Sequence, residues 1–493
     1  MNVLAVDVGT SVVKASVIDA HGNVLGSSSE RTTISTPVPG VVEIDPSSIT
    51  RLPIKVMASA LVKAGIHGKK TSAISVTGAR GTILAFDQHN HPVDVAIAWT
   101  DRRGSDEVER FVEILGGWDV VSDALGINPD PTLSVAAILH WKRGDMRAQV
   151  RSFAGPQAAV IQSLTGDFVT DFSHAGYYGF ACLSDTDWNS EYCAAAGIIS
   201  SQLPQLVPVG SVVGTLTRKA AKELTLPQGL PVIAAASDSV CYKIGAGALV
   251  NGDGVISLGT AASMNVVSDS RVKINRQDAI SCTPSAIPGI WDITAIHYSA
   301  GVMLDWLREV IRFDEPSDLE RILQAAGHVD PGSDGLIALP YLFGSSVPRN
   351  SDIGAGFIGI RAAHDNRHMT RAILEGIGYA LNDLLGGISE LINPPTSFRL
   401  VGGSARSDTW AQILADILAT PIETVCSEEP ALLGAACLAA VQIGRHDHIQ
   451  NAASAMTSVD RQLEPGPSAE FYDADYQRYL QLAETVRQLS TIS

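Results

Sequence analysis

Two stretches of this chain, half its length apart, read alike, and no other feature narrows the architecture as far. VLAVDV runs into Gly9-Thr10-Ser11 and out again as VVKASVID, and residues 254–269, GVISLGTAASMNVVSD, repeat the strand, the Gly-Thr turn and the strand. Gly259-Thr260 stands 260 − 10 = 250 positions after Gly9-Thr10 in a chain of 493 residues. Asp7 of the first copy corresponds to Ser257 of the second. That length exceeds one ordinary core. A repeat at half of it predicts a duplicated two-domain α/β protein, divided near Gly245, Gly247 and Asn251-Gly252-Asp253-Gly254.

The remaining pattern agrees with α/β. His21-Gly22-Asn23 makes a second turn of an antiparallel meander, and strands follow at Ala73–Thr77 and Thr82–Phe86. Residues 105–230 read as mainly helical, with loops at Asn128-Pro129-Asp130-Pro131 and Asp185–Asn189. Helical spacing of Met369, Ile373, Ile377, Ala380, Leu381 and Leu384 marks a buried face. The strand Phe398–Val401 then leads into Gly402-Gly403-Ser404-Ala405, followed by a helix with Trp410, Leu414 and Ile417. A tail helix from about Ala469 places Tyr472, Tyr476 and Tyr479 on one side as packing residues. Ala431–Gly444 is too short to span a bilayer and reads as a core helix.

Charge removes several functions. Lys plus Arg number 35 against 52 Asp plus Glu, a net charge of −17, which opposes broad binding of nucleic acid or anionic membrane. A small anion held by backbone N–H groups is still allowed. With 45% apolar and 18% charged residues the chain is globular. Six Cys make no CxxC and no zinc spacing with the 12 His, so reduced cytoplasmic thiols are expected. The N-terminal apolar stretch contains Asp7 and has no basic flank, so it reads as a strand rather than a signal peptide.

Three turns after apolar strands carry the chemistry: Asp7-Val8-Gly9-Thr10, Ser257-Leu258-Gly259-Thr260 and Val401-Gly402-Gly403-Ser404. Glycine lets the backbone approach a phosphate and aim successive N–H groups at it, and a hydroxyl adds a donor. No GxxxxGK[ST] occurs. Gly354–Gly359 matches GxGxxG without an opening strand or a βαβ unit, and is read as a packing turn. Asp238 ends the apolar run Leu230–Ala236. A carboxylate at such a strand end is partly desolvated and suited to accept a proton; a helix N-cap is the competing account. Asp7, embedded among Val and Leu, fits a carboxylate linked to magnesium through water. Arg80 and Trp99-Thr100-Asp101-Arg102-Arg103 are polar clusters at strand ends; for Arg103 a surface salt bridge is the preferred account.

With these residues in place the chain resembles the FGGY carbohydrate kinases, of the sugar kinase and actin-like ATPase superfamily, and is most similar to xylulokinase-type members. Ala355-Gly356-Phe357-Ile358-Gly359-Ile360, seven residues, then His368-Met369-Thr370-Arg371-Ala372-Ile373-Leu374-Glu375 satisfy the family's C-terminal signature. DVGTSVVK, ISLGTAA, LVGGSARSDTW and ALLGAACLA fall in family order. The resemblance implies two ribonuclease H-like domains with ATP and sugar in a cleft between them. Residues 1–245 would hold the sugar site, first phosphate loop and base, and residues 246–493 the second phosphate loop and adenosine site. It implies Asp238 as general base and Asp7 as the magnesium-linked carboxylate. Thr10, Ser11 and Lys14 would form the first phosphate loop and Gly259 with Thr260 the second. Gly301, Gly402, Gly403, Ser404 and Ser407 would lie around the nucleotide, and Gly78, Arg80, Asp101 and Ser239 beside the sugar.

The chain departs from the family on the sugar side. Xylulokinases carry Gln-Met-His after the strand-end glycine and glycerol kinases Gln-Arg-Glu; here Gly78 is followed by Ala79-Arg80-Gly81. The Lys that the N-terminal signature places before its Trp is absent from Ala136-Ala137-Ile138-Leu139-His140-Trp141. The expectation is an ATP- and Mg2+-dependent cytoplasmic kinase of a ketopentose, related polyol or sugar acid, without nucleic-acid or membrane partners and compatible with a homodimer. The alternatives are a glycerol-kinase-like polyol kinase and a nucleotide-binding pseudokinase that has lost its sugar site. Arg80 either meets an oxygen-rich or acidic substrate or pairs with an acid such as Asp101.

Overall fold

Each Gly-Thr turn joins the first two strands of a sheet. The computed structural model describes residues 2–66, 70–144, 149–276, 279–311, 319–346, 349–350, 353–403 and 407–490, and the elements below are drawn from these. The first sheet contains β1 (Asn2–Val8), β2 (Val12–Asp19), β3 (Val24–Arg31), β4 (Ala73–Gly78), β5 (Val212–Thr215) and β6 (Pro231–Ala234) in the order β5-β6-β4-β1-β2-β3. The second contains β7 (Gly254–Leu258), β8 (Ala262–Ser268), β9 (Ile280–Pro284), β10 (Trp291–His297), β11 (Phe398–Val401), β12 (Ile422–Val425) and β13 (Val459–Leu463) in the order β9-β10-β8-β7-β11-β12-β13.

The two sheets share a plan. In each, the first strand pairs antiparallel with the second and parallel with a later strand, β4 or β11. That strand pairs in parallel with β6 or β12. Register matches the sequence echo: Asp7 lies opposite Lys14 as Ser257 lies opposite Ser263, one residue before the strand end in each case.

Two compact units result, and they are not continuous in sequence. The first takes the chain up to Leu249 together with Thr283–Ile290 and Glu429–Thr457. The second takes Val250–Cys282, Trp291–Glu428 and the chain from Ser458 onward.

In the first unit β1 is covered on both faces, which explains its unbroken apolar run. Leu4, Val6 and Val8 join one core with the helix Leu52–Lys63 and α1 (Pro156–Thr165). Val3 and Ala5 point the other way, into a core shared with α2 (Asp238–Gly245) and later with the Ala-rich segment near residue 435. Side chains alternate along a strand, so Asp7 belongs to the second face.

In the second unit α3 (Gly301–Val310) follows β10, α4 (Asn366–Ser389) carries the predicted buried face, and α5 (Asp408–Leu418) follows β11. The predicted Ala-rich core helix is α6 (Pro430–Gln442), which belongs to the first unit, and the tail is α7 (Ala469–Ser490). Tyr472 and Tyr479 are buried, as packing residues should be.

Residues 105–230 are mainly helical, as expected, with short strands between the helices that the pattern did not disclose. These are Ser152–Ala154, Val169–Asp171, Gln205–Val207 and β5, and strands of three or four residues are too short to show a period. Gly354–Gly359 is not a packing turn throughout: Gly356–Ile358 is a strand paired with Ile337–Leu339, Gly354 and Gly356 face open space, and only Gly359, at φ 90°, is closely packed, with a Cβ 2.7 Å from the Gly335 carbonyl oxygen. No helix among the described residues is long and apolar enough to cross a membrane.

Candidate functional site

In open α/β sheets the carboxyl ends of parallel strands are where helices and loops leave room for ligands. In the first unit β6, β4 and β1 run parallel and adjacent, and their ends lead to Asp238, to Arg80 and to Asp7 respectively. Asp7 faces the side covered by α2 and α6. Lys14, directly opposite on β2, reaches Glu429 just ahead of α6 with Nζ 2.8 Å from Oε2. Oδ1 of Asp7 is buried and has no hydrogen-bond partner among the described residues. Burial, with the charge of Asp238 and a smaller contribution from Glu429, outweighs Lys14 and pushes the Asp7 carboxyl up to about 7.

Asp238 is the first residue of α2 rather than its N-cap, which is Ser237. Its Oδ1 accepts only the neighbouring Ser239 N–H, at 2.6 Å, so the capping account does not describe it. Burial raises its pKa, while Arg80, the Ser239 N–H and His174 pull the other way. The segment is held firmly. Ser237 N donates to Ser173 Oγ at 2.8 Å, and Thr77 Oγ1 donates to the Ala236 carbonyl at 2.6 Å. Gln157 of α1 bridges the strand ends, with Nε2 donating to Val76 O at 3.1 Å and to Ala235 O at 2.6 Å.

Beyond β4 the structure supplies residues that sequence reasoning missed. The carbonyl of buried Gly78 accepts from His174 Nε2 at 3.1 Å, and His174 Nδ1 lies 2.5 Å from Asp171 Oδ2. Burial pushes Asp171 up, yet His174 and the hydroxyl and N–H of Ser173 outweigh it and hold this carboxyl below its ordinary range. Arg80 lays its guanidinium on the Tyr177 ring, 3.9 Å from the centroid. Asp171, His174 and Tyr177 come from one segment after α1, and only the Asp-x-x-His spacing could have flagged part of it.

Asp101 is a correction. Its side chain is 2% exposed, Oδ2 accepts Val42 N at 2.7 Å, and both oxygens accept Arg103 Nε at 3.0 Å. It is spent inside the protein and is available neither to a sugar nor to Arg80. The salt bridge expected of Arg103 is present, extended to Glu43 at 2.9 Å, but it is largely buried rather than on the surface.

Around the first turn, Thr10 Oγ1 accepts Trp99 Nε1 at 3.1 Å, which leaves the hydroxyl proton to donate, and Ser11 is exposed. In the second unit the glycines converge. Gly301 N donates to Gly259 O at 2.9 Å, and a Cβ on Gly301 would stand 2.6 Å from that oxygen. Val302 N donates to Thr260 O at 3.2 Å, so α3 begins on the Gly-Thr turn. Gly402, at φ 104°, packs its Cα against the Leu258 carbonyl where no side chain fits, while Gly403 faces open space. Ser404 lies outside the described residues. Ser407 Oγ caps α5, accepting Trp410 N at 3.3 Å.

This arrangement can now be set beside known proteins. Residues 2–245 match the N-terminal domain of the FGGY family of carbohydrate kinases and residues 254–443 its C-terminal domain. The chain belongs to the FGGY family of carbohydrate kinases. It is thus an ATP-dependent phosphotransferase of the mixed α/β, actin-like ATPase fold. A gluconokinase of Bacillus subtilis is 27% identical over 480 residues, covering 95% of this chain and 93% of the relative. A xylulose kinase of Staphylococcus epidermidis is 28% identical over 493 residues, covering 99% and 97%. A ligand-bound xylulose kinase from Lactobacillus acidophilus superposes with a TM-score of 0.87 over 99% of this chain and 98% of the other, at 23% identity. Nothing among these relatives supports a pseudokinase. As an FGGY kinase the protein acts on a small-molecule sugar.

Proposed function

We propose that this FGGY kinase transfers the γ-phosphoryl group of ATP to a hydroxyl of a sugar or sugar acid, with Asp238 as general base. The observation that carries this reading is a carboxyl of raised pKa beyond the end of a parallel strand, making among the described residues one hydrogen bond, to its own neighbour. A base in that state accepts a hydroxyl proton as the oxygen attacks. Arg80, the Ser239 N–H and His174 oppose the effect of burial on it. Ser239, beside it, and Gly78, at the next strand end, flank the acceptor.

Asp7 suits a divalent cation. Its buried Oδ1 lacks a hydrogen-bond partner among the described residues, and the negative charge around it is incompletely balanced by Lys14. No group of three or more His, Cys, Asp or Glu side chains that could hold a metal occurs among the described residues. Mg2+ would therefore be held by Asp7 through water, together with nucleotide oxygens. When bound, such an ion neutralises charge on the transferring phosphoryl group. Lys14, the Thr10 hydroxyl, Ser11 and the N–H groups of the first turn would donate to phosphate oxygens. In the second unit Gly259 and Thr260 are read as a second phosphate turn, and Gly301, Gly402, Gly403 and Ser407 as nucleotide contacts, as the family resemblance implies. Six free cysteines suit a reducing, ATP-containing cytoplasm.

The test is ADP release with Mg–ATP against pentuloses, alditols and aldonates, for the wild type and Asp238→Asn. The variant is expected to lose about 10²–10⁴-fold in kcat while its affinity for ATP stays within a few-fold. Turnover within threefold of wild type would remove Asp238 from the reaction.

A further inference from the structure

The guanidinium of Arg80 is displayed and unspent. It lies 3.9 Å over the Tyr177 ring, and among the described residues it donates no hydrogen bond and enters no ion pair. Its place is two residues beyond β4, the strand between those that lead to Asp7 and Asp238, and its charge reaches Asp238. Stacking on an aromatic face fixes the plane of a guanidinium and leaves its N–H edges pointing outward.

Asp238 is the acid whose charge meets that of Arg80, and three other acids of this unit are engaged elsewhere. Asp101 and Glu43 hold Arg103, and Asp171 holds His174 and Ser173. The neighbouring position cannot supply another. Gly81 has φ 76°, and a Cβ there would collide with the Thr132 carbonyl oxygen and stand 2.7 Å from the Trp99 Cβ. The fold thus excludes an acidic side chain at position 81, and among the described residues no carboxylate is hydrogen-bonded to the Arg80 fork.

Resting on the kinase reading above, we infer that Arg80, oriented by Tyr177, binds a carboxylate of the acceptor, and that the acceptor is a sugar acid rather than a neutral ketose or polyol. A hydroxyl accepts from one N–H at a time and leaves the charge unbalanced. A carboxylate is planar, accepts two parallel N–H bonds and cancels the charge. The substrate would lie with its acid on Arg80 and the hydroxyl to be phosphorylated at Asp238, so the pair sets both specificity and orientation.

Steady-state kinetics on five- and six-carbon aldonates, with the alditol and ketose of equal length, test this in wild type, Arg80→Met, Arg80→Lys and Tyr177→Leu. Wild type should prefer an aldonate over its alditol by about 100-fold in kcat/KM. Arg80→Met should raise KM for the aldonate by about 10- to 100-fold, the loss expected of a charge-assisted hydrogen bond, with little change in KM for ATP. Arg80→Lys keeps the charge without the fork and should fall between; it also serves if the Met variant does not fold. Tyr177→Leu should raise the same KM by a smaller factor. Wild type that phosphorylates a ketose or alditol and ignores aldonates overturns the carboxylate assignment while leaving the kinase reading intact. ADP release that no sugar, polyol or sugar acid raises above the acceptor-free background overturns the proposed transfer itself. A fall in kcat equal for acidic and neutral acceptors in Arg80→Met would make Arg80 a modulator of Asp238 and would also overturn the assignment.

Discussion

At the scale of single residues, burial raises the cost of ionising both Asp7 and Asp238, and the charge of Asp238 raises that of Asp7 further, a state kept for chemistry and unfavourable for stability. The sign follows from linkage. A carboxyl lifted from 3.8 to about 7 in the folded protein stabilises fully below the unfolded value, and that contribution is lost as pH rises through the folded one. Without metal and nucleotide, Asp7→Asn should therefore melt higher than wild type at a pH of about 8, and the two should converge near pH 4. Thermal melts across that range check it, and a variant that melts lower at the alkaline end would refute the account. Magnesium with nucleotide should raise the melting temperature of wild type more than that of the variant. Much of this was legible in sequence, since a charged residue inside VLAVDV or after LPVIAAAS demands a reason. Tyr177, His174 and Glu429 were not. Glu429 meets Lys14 across 415 positions, and no local pattern encodes such a pairing.

At the scale of elements, α2 and α6 cross with backbone against backbone. A Cβ on Gly245 would strike the Pro430 carbonyl, and one on Gly434 the Cys241 carbonyl, with the Cys241 carbonyl carbon at 2.7 Å. Neither partner is a flexible side chain that could step aside. Gly434→Ala should cost about 1–3 kcal/mol by overpacking. Because α2 opens with Asp238, pushing that helix away should also lower kcat at temperatures where the variant stays folded. Melting and turnover measured together check both effects, and an unchanged melting temperature would show that the crossing has slack. Of these elements the sequence disclosed the existence but not the contact. GAGAL and ALLGAACLA each announce small residues, and the close approach appears only when the two helices are brought together.

At the scale of the whole molecule, the 250-residue echo gave the architecture, because the same strand order and register recur in both sheets. The path of the chain was harder to read. Ala431–Gly444 was recognisable as a core helix, but a helix buried all round has no polar face to say which core it fills. It fills that of the first unit. Leu432, Leu433, Ala435, Ala436, Cys437 and Leu438 pack with Val3, Ala5, Ala73 and Ile233, and Ser75 Oγ donates to Ala435 O at 2.7 Å. The family's two domains follow one another along the chain, whereas the compact units exchange this segment, and the difference has a consequence for truncation. A fragment of residues 1–249 keeps the whole first sheet, Asp7, Arg80 and Asp238, yet lacks the cover over one of its faces. Each large apolar side chain removed from that face forfeits about 1.5–3 kcal/mol, and Ser75 is left without its acceptor. Several such losses equal the ~5–15 kcal/mol that holds a typical domain together. The fragment alone should give no cooperative melt and should bind hydrophobic dye, and supplying residues 429–457, on a linker or as a separate chain, should restore a sharp transition. A cooperative melt of the bare fragment would show instead that the sheet is stable without α6, and that the helix serves only to bring Glu429 to Lys14.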